Sequence, residues 1–277
     1  MRKEHDFLGE KLVPDEVYYG VQTMRAMENF QITGAQLDPD FIQSMAVVKK
    51  ASCLTNLKTG RMDPVIGDAI IRAADEIIEG KLLDQFPLDP IQGGAGTSVN
   101  MNMNEVLCNR ALELLGYPKG RYDIISPNNH ANLAQSTNDV SPTSIKVCLV
   151  RKAYRLMDAL SSMARGFDEK GEAFKDVIKM GRTHLQDAVP ITLGEEMDSY
   201  AVAVRRGIRR ISLSLSSLEA LNMGGTAVGT GLNAEPEYIR LFPEILSRLT
   251  GFSFKTADNL IDTTNTTDCF ADVSGAL

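Results

Sequence analysis

The chain has 277 residues, a formal net charge of −7 and a sequence pI of about 5.1. This acidic balance argues against a nucleic-acid or anionic-membrane surface, because such surfaces need an excess of lysine and arginine. No apolar run approaches the length of a membrane span, and no apolar segment follows the charged N-terminus as in a secretory signal. The sequence therefore predicts a cytoplasmic protein with room for one large or two medium domains.

The cysteines are widely separated, at Cys53, Cys108, Cys148 and Cys269. They form no Cys-x-x-Cys pair, and each one stands among apolar residues. This spacing predicts reduced core thiols and favours neither a zinc site nor a disulfide framework.

The N-terminal region has mixed signals, and short extended segments are predicted at Tyr18–Thr23 and Phe30–Thr33. A helix is predicted from about Pro39 to Thr59, where apolar residues recur at helical spacing. The next helix has a clear start, because Asp63 can cap it and Pro64 suits its first position.

A glycine-rich loop, Gly93-Gly-Ala-Gly-Thr-Ser98, precedes a pattern that becomes helical from Glu105 and stops at Gly116. Free N–H groups and the dipole at a helix start favour an anion, and Thr97 and its neighbour add two hydroxyls. No lysine follows as in a Walker loop, and the preceding prolines exclude the buried strand of a dinucleotide site. The loop therefore predicts a site for a carboxylate.

A second polar loop offers hydroxyls and an amide at Ser136, Thr137 and Asn138, just before a long helix predicted over Ser141–Phe167. Apolar residues in this helix follow a heptad-like seam. Ser141 is its predicted N-cap, and capping alone would explain many of the polar residues here.

A third polar loop, Gly181–Pro190, precedes a second long helix predicted over Leu193–Leu218. It contains Thr183 and His184, and His184 is one of three histidines in the chain. A lone histidine is more often structural than catalytic, so this loop is a weak signal by itself.

The two long helices predict a mainly α protein with a mixed, mostly helical domain over 1–137 and the opening of a long-helix bundle over 138–277. A shorter helix is predicted at about Glu237–Leu249, and another begins near Thr267. The last helix shows no C-cap. The heptad-like apolar seams of the two long helices leave large apolar faces uncovered. We therefore expect a longer parent protein whose bundle is incomplete here and other chains that cover the seams.

Together, these loops resemble motifs of the fumarase/aspartase superfamily. The matching stretches are Gly93–Val106, Asn132–Thr143, Gly181–Pro190 and Gly224–Asn233. Residues typical of its aspartase branch occur at Leu8–Glu10, Tyr18–Thr23, Arg25–Phe30 and Gln92–Ser98. The resemblance covers only the front part of the family's chain, because the signature Gly-Ser-Ser-x-Met-Pro-x-Lys-x-Asn-Pro is not among the 277 residues.

This resemblance implies an ammonia-lyase that converts L-aspartate to fumarate by anti elimination, with no organic cofactor and no required metal. The implied site residues are Thr97, Ser136, Thr137, Asn138, Thr183 and His184. The first three would surround the β-carboxylate, the asparagine and histidine would face the amino group, and Thr183 would reach the α-carboxylate. His184 is the candidate for proton transfer. The general-base serine belongs to the absent signature, so we expect the 277-residue chain alone to be inactive.

The resemblance also implies a homotetramer with shared active sites. Antiparallel rods in one chain would place Thr137 and His184 at opposite ends, whereas a neighbouring chain can bring them together. Three alternatives remain open at this stage: a fumarate hydratase, another lyase of the superfamily, or a non-catalytic helical scaffold fragment.

One departure concerns a second carboxylate site of fumarase-like relatives. Those relatives have a histidine before Pro-Asn-Asn/Asp, whereas Ser126 stands at that position here. His130 is nearby but out of register, and it is predicted to be a loop residue. A second carboxylate site near these residues is therefore in doubt.

Overall fold

A computed structural model describes residues 1–94 and 96–277, so Ala95 of the predicted glycine loop lies outside the described residues. The α-helices are α1 (Val21–Asn29), α2 (Pro39–Lys58), α3 (Pro64–Ile78), α4 (Thr97–Leu114), α5 (Thr137–Ala173), α6 (Leu193–Ser214), α7 (Pro236–Thr250), α8 (Leu260–Asn265) and α9 (Asp268–Ala276). The strands are β1 (Arg2–Asp6), β2 (Gly9–Val13), β3 (Ile178–Thr183), β4 (Gln186–Thr192), β5 (Ala220–Leu221) and β6 (Lys255–Thr256). Short 3₁₀ turns occupy Leu83–Gln85 and Leu215–Leu218, and a π-helical turn occupies Pro127–Ala131. The prediction of a mainly α protein is confirmed.

The chain divides into two compact units. The first unit comprises Met1–Cys148 and Glu219–Thr266, and the second comprises Leu149–Leu218 and Thr267–Leu277. The predicted domain boundary after residue 137 falls at the start of α5 and stays a prediction, because the grouping of contacts does not test independent folding. Among the described residues, no helix has the length and apolar character that crossing a bilayer requires.

The first unit is built around α2, which packs against α3 and α7, while α4 packs against α3 and α1. Asp38 accepts a hydrogen bond from Asp40 N at the start of α2, and Asp63 accepts from Val65 N and Ile66 N at the start of α3. With these caps, α2 and α3 begin close to where the sequence predicts. Both predicted helices are confirmed.

The N-terminal half of α4 was not predicted. The helix begins at Thr97, eight residues before the apolar pattern that starts at Glu105. Asn100, Asn102 and Asn104 are fully buried in this half, so polar residues stand where a helical pattern needs apolar ones. Their Nδ2 groups donate to Asn132 and Gln85 elsewhere in the first unit, whereas their buried Oδ1 atoms have no hydrogen-bond partner among the described residues.

The predicted extended segments at Tyr18–Thr23 and Phe30–Thr33 are wrong. Helix α1 begins at Val21, inside the first segment, and the second contains no strand. The N-terminal strands instead form the hairpin β1–β2, in which Arg2 pairs with Val13 and Asp6 pairs with Gly9.

In the second unit, the third polar loop is an antiparallel hairpin of β3 and β4, which the sequence analysis did not predict. Helix α6 follows β4 and begins with a capping box, in which Thr192 and Glu195 satisfy each other's backbone N–H groups. Helix α6 packs against α9, and Phe167 and Tyr200 meet edge to face at 5.5 Å. The predicted second long helix is thus confirmed, although its last four residues form a 3₁₀ turn.

The two shorter predicted helices are confirmed with small shifts. The helix predicted at Glu237–Leu249 is α7, and the one predicted near Thr267 is α9. His130 lies in the π-helical turn rather than in a loop, and its Nδ1 accepts a hydrogen bond of 2.8 Å from Ser126 N. Cys53, Cys108 and Cys148 are buried as predicted, whereas Cys269 is partly exposed.

Candidate active site

The N-termini of α4 and α5 meet at the glycine loop. Gly96 precedes α4 with a φ of 93°, in the left-handed region that favours glycine. A Cβ atom on Gly96 would lie 2.7 Å from Ser141 Oγ in the second turn of α5, so a larger residue would not fit. Two helix starts with free N–H groups therefore stand side by side, next to Thr97.

A side-chain hydrogen bond joins these two helix starts. Asn100, in the first turn of α4, donates from Nδ2 to Thr137 Oγ1 at 3.1 Å and to Asn132 Oδ1 at 3.2 Å. Asn132 belongs to the segment before α5, so the first two polar loops are held together by amides and a hydroxyl.

Helix α5 starts four residues earlier than predicted, at Thr137. Asn138 N donates to Ser136 Oγ at 3.2 Å, and Ser136 N donates to Asp139 Oδ1 at 2.9 Å. Ser136 is therefore the residue that caps α5, and the predicted N-cap at Ser141 is wrong. Pro142 can follow within the first two turns, because the early N–H groups of a helix have no intrahelical partner.

The fourth motif, Gly224–Asn233, is attached to the same helix start. Asp139 Oδ2 accepts from Gly224 N at 3.1 Å and from Thr226 N at 3.0 Å, and Asn138 Nδ2 donates to Ala227 O at 2.7 Å. Asp139 is fully buried, and burial raises its pKa to about 6. Three of the four motifs thus meet within the first unit, at the first turn of α5.

Lys49 belongs to the hydrogen-bond network of this site, and the sequence analysis missed it. It lies in the middle of α2 and is 1% exposed, and its Nζ donates to Asn132 Oδ1 at 3.0 Å and to Gln135 Oε1 at 2.9 Å. Burial lowers its pKa to about 7, although the nearby Asp139 carboxylate acts in the opposite direction. The sequence gives no pattern by which a buried lysine in a helix could be distinguished from a solvent-exposed one.

The predicted site residues are divided between the two units. Thr97, Ser136, Thr137 and Asn138 belong to the first unit, and the contacts above bring the α4 and α5 starts together. Thr183 and His184 belong to the second unit, at the end of β3 and in the following turn. His184 and Leu185 have φ values of 49° and 62°, the left-handed pair that a two-residue hairpin turn needs, and both side chains are exposed.

The aspartase-like stretch Tyr18–Thr23 has a structural explanation in the first unit. Glu105 is fully buried in α4 and accepts from the backbone N–H groups of Gly20, Gln22 and Thr23 at 2.7–3.1 Å. A Cβ atom on Gly20 would lie 2.9 Å from Glu105 Cδ, so only glycine allows this approach. The carboxylate thus caps the start of α1.

The buried Glu105 carboxyl leads to a prediction about stability. Burial raises its pKa from the ordinary value of 4.5 to about 7, although the hydrogen bonds from Thr23 and the backbone act in the opposite direction. Between these values the folded chain binds more protons than the unfolded chain, so the free energy of unfolding should fall as pH rises. Glu105→Gln removes this titration and should flatten the decline of the melting temperature between about pH 5 and 7.5.

The control for this experiment is Glu10→Gln, which alters an exposed carboxylate in β2 and should follow the parent protein. A constant difference in melting temperature between the parent and Glu105→Gln over that range would contradict the prediction.

A cavity of about 280 Å³ lies beside Glu105 in the first unit. Its lining includes Asp6, Ser126 and Asn128, but none of the predicted site residues.

Comparison with known proteins identifies the family. The sequence pattern of a family of lyases matches residues 9–277. The chain is 52% identical to an aspartate ammonia-lyase from a Bacillus species and 52% identical to one from Bacillus subtilis, with all of this chain and 59% and 58% of their lengths covered. The chain belongs to this lyase family. The predicted resemblance to the fumarase/aspartase superfamily is confirmed.

Solved structures agree with this assignment. A fumarate lyase:delta crystallin from Brucella melitensis, bound to cobalt, matches with a TM-score of 0.97 and 42% identity over 99% of this chain and 60% of its own. A class II fumarase from Schistosoma mansoni matches with a TM-score of 0.96 and 35% identity over 99% and 61% of the two chains. The chain therefore spans about three fifths of the length of the relatives it matches.

Proposed function

We propose that the complete protein eliminates ammonia from L-aspartate to give fumarate. The observation that carries this proposal is the junction of α4 and α5, where Asn100 holds Thr137 beside the glycine loop and Thr97. Relatives named aspartate ammonia-lyase, about half identical over the whole chain, support the choice of substrate.

The junction suits the difficult step of this reaction. A base takes the weakly acidic Cβ proton of aspartate, and the electron pair spreads into the β-carboxylate as a dianionic aci form. Hydroxyls of Thr97, Ser136 and Thr137 and two helix N-termini are the kind of preorganised donors that stabilise such charge. The electron pair then forms the Cα–Cβ double bond as the C–N bond breaks and the amine leaves.

The other residues complete the proposed roles. Asn138 donates its amide hydrogen to Ala227 O, so its Oδ1 can accept a hydrogen bond from the substrate's ammonium group. Thr183 would hold the α-carboxylate, and His184 would bind or protonate the leaving amine. We propose no organic cofactor and no required metal.

We further propose that this chain carries only part of each active site, and that a cytoplasmic homotetramer assembles the whole. The general base would come from the part of the relatives that this chain does not match. Largely exposed apolar residues on α5 and α6 support self-association, since their burial is worth about 25 cal/mol per Å². They include Leu156, Met163, Tyr200, Val202 and Leu213.

The test is an ultraviolet assay of the complete gene product with L-aspartate and with L-malate. Fumarate formation from L-aspartate, with no turnover of L-malate, is the expected result. Turnover of L-malate instead would favour a fumarate hydratase, and no turnover of either would favour a non-catalytic scaffold.

A further inference from the structure

Lys49 is a buried cation that the proposed reaction does not yet use. It lies in α2 between apolar residues that are themselves fully buried, such as Met45 and Val48. Its Nζ is held by two amide oxygens, from Asn132 and Gln135, and the buried Asp139 carboxyl is close enough to raise its pKa against the effect of burial. A buried ammonium group is unfavourable unless partners satisfy it, so this placement needs an explanation beyond packing.

The chemistry of lysine determines how the neighbouring amides are oriented. Lys49 Nζ donates to Asn132, so Asn132 presents Oδ1 to it rather than Nδ2, which instead donates to Gln135 O. Because Asn132 Oδ1 also faces Asn100, Asn100 must present Nδ2 to it. The same Nδ2 makes its second hydrogen bond to Thr137 Oγ1.

The orientation of the Asn100 amide determines what the Thr137 hydroxyl can donate to. Its oxygen accepts from Asn100, so its own hydrogen remains available for a different acceptor. If the Asn100 amide were reversed, its oxygen would face Asn132 Oδ1 and would draw the Thr137 hydrogen towards itself. Thr137 would then offer only lone pairs to an anion at the helix junction.

The structure keeps this orientation although it leaves an acceptor unpaired. Asn100 Oδ1 is buried and has no hydrogen-bond partner among residues 1–94 and 96–277. An unpaired buried acceptor is unfavourable for folding, but the reversed amide would place two oxygens face to face, so the Asn132 oxygen keeps Asn100 in this orientation. The same orientation keeps a donor directed at Thr137.

We propose that Lys49 is a positioning residue that, through Asn132 and Asn100, directs the hydroxyl hydrogen of Thr137 to the carboxylate of the substrate. This inference rests on the proposed function, in which Thr137 binds the β-carboxylate. Lys49 touches no reacting atom, and its effect must pass through Thr137.

A double-mutant cycle in the complete gene product tests whether Lys49 acts through Thr137. Lys49→Met should lower kcat/KM for L-aspartate at least tenfold, with most of the loss in kcat, because the donor matters most as charge develops. In a Thr137→Val background, the same substitution should change kcat/KM less than twofold. Lys50→Met, which removes the adjacent ion pair with Asp75 at the surface of α2, is the matched control and should leave activity unchanged.

A loss at Lys49→Met that is equally large in the Thr137→Val background would show a general structural role and overturn the inference. Normal turnover by Lys49→Met in an active parent would overturn the inference but not the proposed function. A parent that does not turn over L-aspartate would overturn both.

Two further variants keep the test decisive if Lys49→Met does not fold. Asn100→Asp leaves the buried cation in place but replaces the donor to Thr137 with an acceptor, and it should lower kcat/KM at least tenfold. Normal turnover by a folded Asn100→Asp variant would overturn the inference. Lys49→Gln keeps a donor without the charge and should recover part of the activity that Lys49→Met loses.

Discussion

Alanine at Thr97, Thr137 or Asn138 is expected to lower the turnover of L-aspartate at least tenfold in each case, about 1.4 kcal/mol of barrier. Removing one donor from a preorganised anion site commonly costs about 10²–10³ in kcat, so tenfold is a lower bound. Thr137 has the strongest structural support, because Asn100 holds its oxygen and leaves its hydrogen available. Steady-state kinetics of the complete gene product measure the effect.

Ser162→Ala is the control for these variants, since this exposed hydroxyl donates to Asp158 O and accepts from Arg165 Nη2, both within α5 and away from the helix junction. It should keep normal turnover. The three site variants should keep the parent's circular dichroism spectrum, because none of the three side chains is fully buried. Near-normal turnover in all three would mean that these residues are helix caps and nothing more.

Mixing two inactive variants, Thr137→Ala and His184→Ala, is expected to restore part of the activity after dissociation and reassociation. If the rods that follow the second and third polar loops run antiparallel in one chain, as the sequence analysis expects, their starts lie at opposite ends. His184 lies eleven residues beyond the end of α5, in the turn of the β3–β4 hairpin. We therefore expect the two side chains that serve one substrate to come from different chains.

The control is a mixture of each variant with itself, carried through the same dissociation step. Mixed oligomers should be verified by native mass spectrometry with one variant isotopically labelled. If verified mixed oligomers of two inactive parents show no activity, the shared-site proposal fails.

Local chemistry was sufficient to predict several elements. Asp38 and Asp63 each precede a proline and accept the free N–H groups of the next turn, so α2 and α3 lie almost where the sequence placed them. The hairpin β3–β4 was missed for the opposite reason. Its strands are largely exposed and have no alternating apolar pattern, and its turn uses His184 and Leu185 in place of the usual glycine or asparagine.

The Tyr18–Thr23 stretch shows where local reasoning fails. Its aromatic and β-branched residues favour a strand. The structure turns it into the start of α1, because Glu105 supplies a carboxylate to three of its backbone N–H groups from more than eighty residues away. No pattern within six residues can report a capping group supplied by another helix.

The sequence by itself determined the mainly α class, the cap of α3 and the family, because each depends on residues that are adjacent or recur in a set order. Only the tertiary structure decided that Lys49 is buried and that Asn132 and Asn100 connect it to Thr137. These residues lie on three separate segments of the chain. Hydrogen bonds between such segments depend on packing in three dimensions and have no period or spacing that a sequence can display.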